Sequence, residues 1–145
     1  MSEAVEYLHL APGAAIPDAL NGPAFRAVII VERAVTNDWR GLVSDWLVAS
    51  GCLYAVAWGD ECSAWDDSVD CSARALHGDD LDDDKFVMTT WHENQSIDEA
   101  FWFAGVCAYH PTIEFDRTIL VDITDKARAD ELLARYAEAI SRVPP

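Results

Sequence analysis

The sequence predicts an α/β fold: a single three-layer domain with a four-stranded, mostly parallel sheet and helices on both faces. Three observations carry that expectation. Two uninterrupted apolar runs, Arg26–Val31 and Cys52–Trp58, have the composition of strands covered on both sides. The segment between them places Trp39, Leu42, Val43, Trp46 and Leu47 on one helical face. Strand-like and helix-like segments then alternate onward along the chain, which implies parallel strands joined by right-handed crossovers.

Residues 1–25 contain Pro12, Gly13, Pro17, Gly22 and Pro23 and read as an extended, turn-rich lead-in, leaving 26–145 as the α/β domain. Strand one is Arg26–Val31. Thr36 or Asn37 caps the first helix, and Gly51 closes it. Strand two, Cys52–Trp58, ends at Gly59. Ser63 and Asp66 give a capping signal for a helix over Asp66–Leu76, and Gly78–Asp84, with five aspartates, reads as a solvated loop.

Strand three is expected over Lys85–Trp91. Ser96-Ile97-Asp98-Glu99 forms a capping box that opens a helix reaching Tyr109, where His110-Pro111 stops it. Strand four is Arg117–Ile123, and an amphipathic helix covers Asp125–Arg142. Topology rules suggest the strand order 2-1-3-4, a flavodoxin-like or Rossmann-like outline.

Composition narrows function. The chain carries 26 acidic against 10 basic side chains, a formal charge of −16, which repels phosphate backbones and anionic lipid. Nucleic acid and membrane are therefore not expected as partners; a basic protein is. The longest uncharged apolar stretch, Ala100–Tyr109, falls short of the roughly 20 residues a membrane span needs. Glu3 and Glu6 stand where a secretory leader carries bases, so a cytoplasmic location is expected. The four cysteines form no CxxC pair, and neither a disulfide framework, a zinc cage nor a bound cofactor is expected.

Ligands of open parallel sheets bind beyond the carboxyl ends of the strands. Glu32 and Arg33 follow strand one; Gly59, Asp60, Glu61 and Cys62 follow strand two; His92, Glu93 and Asn94 follow strand three. The catalytic candidates are accordingly Glu32, Asp60, Cys62 and His92. Glu32 and Asp60 with Asp66 or Asp67 suit a magnesium ion, although no glycine-rich phosphate loop follows strand one. Cys62 as thiolate with His92 as base, oriented by Asp60 or Glu93, suits nucleophilic chemistry, which the surrounding acids oppose by raising the thiol pKa.

The preferred reading is an acidic protein-binding module, in its narrower form an immunity or antitoxin-like protein that neutralises a basic toxin. Residues 60–84 hold ten acids against one base, Arg74. Expected contacts are Asp60, Glu61, Trp65, Asp66, Asp67, Asp79, Asp80, Asp82, Asp83 and Asp84, with acids steering the encounter and aromatics such as Trp58, Trp65 and Trp91 anchoring it. The rivals are a small metal-dependent phosphoryl-transfer or hydrolytic enzyme using His92, and a homo-oligomer, in its simplest form a homodimer, joined through Phe101, Trp102, Phe103, Val106 and Tyr109 of the all-round apolar helix.

The stretch Gly51-Cys-Leu-Tyr…Ala-Trp-Gly…Cys-Ser-Ala-Trp-Asp-Asp-Ser-Val-Asp70, with Asp83-Asp-Lys-Phe-Val-Met-Thr-Thr-Trp-His92 and Phe101-Trp-Phe-Ala104, resembles a family of small uncharacterised bacterial proteins. The likeness runs from about Phe25 to Ala139. It implies a bacterial, stand-alone domain and carries over no catalytic residue.

Overall fold

The computed structural model describes residues 4–78 and 82–142. Five strands, β1 (Ala4–His9), β2 (Phe25–Val31), β3 (Cys52–Gly59), β4 (Met88–His92) and β5 (Arg117–Ile123), form one sheet in the order β1-β5-β2-β3-β4. Every pairing is parallel. Four helices connect and flank them: α1 (Asn37–Ala49), α2 (Cys62–His77), α3 (Ile97–Val106) and α4 (Ala129–Ile140).

Strand periodicity divides the core in two. Phe25, Ala27, Ile29 and Val31 of β2 point with Ile119, Val121 and Ile123 of β5 toward Val43, Leu47, Trp65 and Val69 of α1 and α2. The alternate residues, Val28, Ile30, Val56 and Leu120, point toward Ile97, Phe101, Leu132 and Tyr136 of α3 and α4. Those four strand valines, isoleucine and leucine are completely buried and Val87 nearly so, as uninterrupted apolar strands require. The two outer helices approach closely: a Cβ on Gly105 would lie 2.2 Å from Cγ2 of Ile140, so only glycine fits there.

The sheet has five strands where four were expected. The fifth is β1, drawn from the segment read as lead-in; only the partly buried Val5, Tyr7 and Leu8 of this edge strand pack on the core, so its apolar signal is thin. In sequence numbering the four expected strands are ordered 4-1-2-3, which corrects 2-1-3-4. Burial explains the difference. Arg117–Ile123 is apolar enough to lie between two neighbours, whereas Met-Thr-Thr-Trp-His, β4, leaves its side chains partly open and takes an edge.

Boundaries shift for local reasons. α2 begins at Cys62 rather than Asp66, because Glu61 turns the chain in a left-handed conformation, φ 54° and ψ 36°. β4 begins at Met88 rather than Lys85, since Asp83–Lys85 forms a short 3-10 helix in which the Asp82 carboxylate accepts from the Asp84 N–H. α3 has the expected capping box, with Ser96 Oγ accepting from Glu99 N–H at 3.1 Å, but it ends at Val106. His110, expected only as a stop signal, ties the chain beyond α3 to the segment leading into β4: Nε2 donates to the Phe86 carbonyl at 2.6 Å while Nδ1 accepts from the N–H groups of Thr112 and Ile113.

Candidate functional site

After β2 the chain turns to α1 on one face, and after β5 it turns to α4 on the other, so the carboxyl ends of these neighbours flank the crevice where open α/β sheets bind ligands. A polar network built on Asp122 stands at this point. Asp122 is fully buried and accepts two hydrogen bonds of 2.9 Å from Arg128, through Nε and Nη2. Tyr7 Oη donates to the same carboxylate at 2.7 Å and accepts from the Arg128 backbone N–H at 2.9 Å. Burial pushes the Tyr7 phenol up to about 12, so it stays a donor. The hydrogen bond to Asp122 holds Arg128 more firmly charged than usual. Glu32 lies 3.8 Å from Arg128 and already faces a cation.

The second strand-end feature is the turn from β3 into α2. Gly59 has φ 102°, and a Cβ there would sit 2.1 Å from the Val31 carbonyl oxygen, which accepts the Asp60 N–H at 2.8 Å. Glu61 follows in its left-handed conformation, a cost of about 1–2 kcal/mol for a residue with a Cβ. Its carboxylate meets Nη1 of the buried Arg40 at 3.2 Å, and Arg40 Nη2 also donates to Asn37 Oδ1.

Four catalytic candidates stand at this end of the sheet without assembling. Cys62 packs into the core beneath α1 and α2, where burial raises its thiol pKa against a backbone hydrogen bond from His92. The His92 imidazole lies on the opposite face, 3.1 Å from Thr90 Oγ1, 2.9 Å from Gln95 Oε1 and 4.6 Å centroid to centroid from the Phe103 ring. This corrects the thiolate–imidazole reading. The magnesium reading loses Glu32 to Arg128 and Asp66 to the interior, where burial raises its carboxyl pKa. Among the described residues no cluster of three or more His, Cys, Asp or Glu side chains is arranged to hold a metal ion.

The expected binding residues divide similarly. Asp60, Glu61, Asp67, Asp82, Asp83 and Asp84 are exposed, while Asp79 and Asp80 lie outside the described residues. Trp65 is fully buried with its ring edge-on to Trp39 at 6.4 Å, so it cannot anchor a partner; Asp66 is also buried. The aromatic group left at the surface is Trp91, 50% exposed on β4, accompanied by Phe86 at 55% and Leu76 at 56%. Trp91 was legible only as one of three loop-side tryptophans, and nothing in the sequence singled out Phe86 or Leu76.

Around α3, Phe101 is fully buried with its ring 5.3 Å from that of Tyr136, which removes it from any interface. Trp102, Phe103 and Val106 are partly buried, and Tyr109 is 74% exposed. Beside this helix a groove of about 580 Å³ is lined by His92, Gln95, Asp98, Trp102, Phe103 and Arg142, among others. The buried Trp102 Nε1–H has no acceptor among the described residues.

A five-stranded parallel sheet with helices on both faces and a polar switch point defines an open α/β domain. Within that class, a family model described as a domain of unknown function, DUF7684, matches residues 5–139, and the chain belongs to this family. No curated protein and no solved structure matches the chain. No helix among the described residues is long and apolar enough to cross a membrane.

Proposed function

We propose that the chain is an acidic protein-docking module whose partner is a basic protein, with neutralisation of a basic toxin as the narrower form of this role. One observation carries the reading: Trp91 is exposed on the edge strand β4, and the segments around that strand, α2 which packs on it and the chain leading into it, expose Leu76 and Phe86 together with Asp67, Asp82, Asp83 and Asp84. Apolar anchors hold a complex together, and like charges around them speed the approach of an oppositely charged surface. The strand-end side chains favour the docking role over catalysis, because the best polar constellation, Tyr7–Asp122–Arg128, is spent on itself.

The test is capture of a basic partner from the native host at low and moderate salt, followed by association kinetics. Replacing Asp82, Asp83 and Asp84 together by Asn slows association severalfold and flattens its salt dependence, since the Debye length contracts from about 10 Å at 0.1 M to about 3 Å at 1 M. Trp91→Ala acts mainly on dissociation. A triple variant that associates at the wild-type rate at low salt removes the electrostatic half of the reading. A captured partner that is acidic or neutral removes the whole of it.

A further inference from the structure

We infer that the basic partner docks as an extended strand added to the free edge of β4, with basic and apolar side chains in alternation. The inference rests on the docking role proposed above and specifies its geometry.

The two sheet edges differ. β1 carries Glu6 in mid-strand, hydrogen-bonded to Arg117 of its neighbour, and such charges discourage further strand pairing. β4 reads Met-Thr-Thr-Trp-His, without proline or charged residue, and pairs with β3 in continuous register. Among the described residues, no loop backbone hydrogen-bonds to Met88–His92. An edge left in this state is a template for a strand from another chain.

The two sides of β4 then determine what an added strand presents. Met88, Thr90 and His92 share the side facing α3, where Met88 joins the α3–α4 core and His92 meets Phe103. Thr89 and Trp91 share the side facing α2, the helix that packs on β4 and carries the exposed Asp67 and the half-buried Asp70. Side chains of an added strand alternate in the same way. One set falls beside Trp91 and the α2 carboxylates, which suits Arg or Lys, with the aliphatic stem and cation over the indole. The other set falls toward the groove walled by Trp102 and Phe103, which suits a large apolar group. In that groove Asp98 is already bonded to Arg135 at 2.7 Å; on the α2 side Asp70 has Arg74 at 3.6 Å and Asp66 is buried, while Asp67 is exposed, so the requirement for a base centres on Asp67.

The experiment uses the full chain, isotope-labelled, with three synthetic octapeptides: alternating arginine and valine; the same composition in two blocks; and alternating threonine and valine. Affinity and amide hydrogen exchange of Thr89, Thr90 and Trp91 are read by NMR at low salt. The expected result is that the alternating basic peptide binds about tenfold tighter than the block isomer and slows exchange of at least one β4 amide about tenfold. Equal binding of the two basic isomers without β4 protection overturns strand addition and leaves the basic-partner reading standing. Equal binding of the neutral alternating peptide, with β4 protected, overturns the basic requirement. Failure of all three to bind overturns strand addition, and the docking role is then decided by the capture experiment alone.

Discussion

The Cys62 thiol and the His92 imidazole lie at the same end of the sheet but on opposite faces, and they meet only through the His92 backbone. Alternation along β4 makes this unavoidable: the parity that turns His92 toward Phe103 turns it away from α2. The four thiols therefore separate by accessibility. Cys71 and Cys107 are exposed; Cys52 and Cys62 are buried, with Cys52 pushed up to about 12. Brief alkylation of the native protein, mapped by mass spectrometry, is expected to mark Cys71 and Cys107 and to spare the other two until denaturant is added. Labelling of Cys62 at the rate of Cys71 would restore it as a nucleophile.

Asp122→Ala is expected to cost about 3 kcal/mol, because it strands Arg128 without its buried partner and removes the acceptor of Tyr7. Tyr7→Phe costs about 1–2 kcal/mol, because Asp122 loses one of its three hydrogen bonds and the Arg128 backbone N–H loses its acceptor. Urea unfolding midpoints of the two variants provide the comparison. If both changes prove neutral, the network does not hold β1 and α4 against β5.

The β3–α2 turn gives opposite expectations at adjacent sites. Gly59→Ala loses roughly 3 kcal/mol or more, since the added methyl meets the Val31 carbonyl in a backbone conformation alanine rarely adopts. Glu61→Gly relieves the left-handed strain and takes one carboxylate from the buried Arg40, which keeps Asn37, for a net gain of up to about 1 kcal/mol. Thermal unfolding decides both. A destabilised Glu61→Gly would show that the buried Arg40 depends on that carboxylate by more than the strain released.

Asp66 predicts a pH dependence. Burial raises its carboxyl pKa in the folded chain, with the charges of Asp70 and Asp67 adding to the effect. The native state therefore binds this proton more tightly than the unfolded chain, and stability falls as pH rises from the ordinary carboxylate range through the raised value. Asp66→Asn is expected to unfold at a higher temperature than wild type at pH 7, the difference closing below about pH 4, where both states are protonated. A constant difference across that range would assign the effect to packing.

Strand identity was legible wherever both faces of a strand are buried, as in β2, β3 and β5, because such segments tolerate no polar residue except one that is paired. The edge strands were harder to read for the same reason. β1 went unrecognised and β4 was placed in the wrong position, since half-covered strands mix Glu6, Thr89 and Thr90 with apolar neighbours. The capping box at Ser96 was local and legible; the left-handed Glu61 was not, because the position of β2 beneath it imposes that turn. Charge was visible from composition, but side-chain direction was not. Trp65 and Trp91 look alike in sequence, and helix phase buries one while an open strand edge exposes the other.

The pairing of β1 with β5 joins the two most distant parts of the sheet, Ala4 lying opposite Arg117. During synthesis β1 is made first, and at roughly 5–20 residues per second it waits on the order of 6–20 s for its only strand partner. β2, β3 and β4 meanwhile have α1 and α2 on one face, while their other face waits for α3 and α4 and β2 for β5. Assembly therefore proceeds outward from the middle of the sheet, and the strand made first is seated last. Until then its apolar Val5, Tyr7 and Leu8 remain uncovered on the nascent chain. A circular permutant carrying β1 behind α4 turns this longest-range pairing into a local β–α–β unit and shortens that exposure.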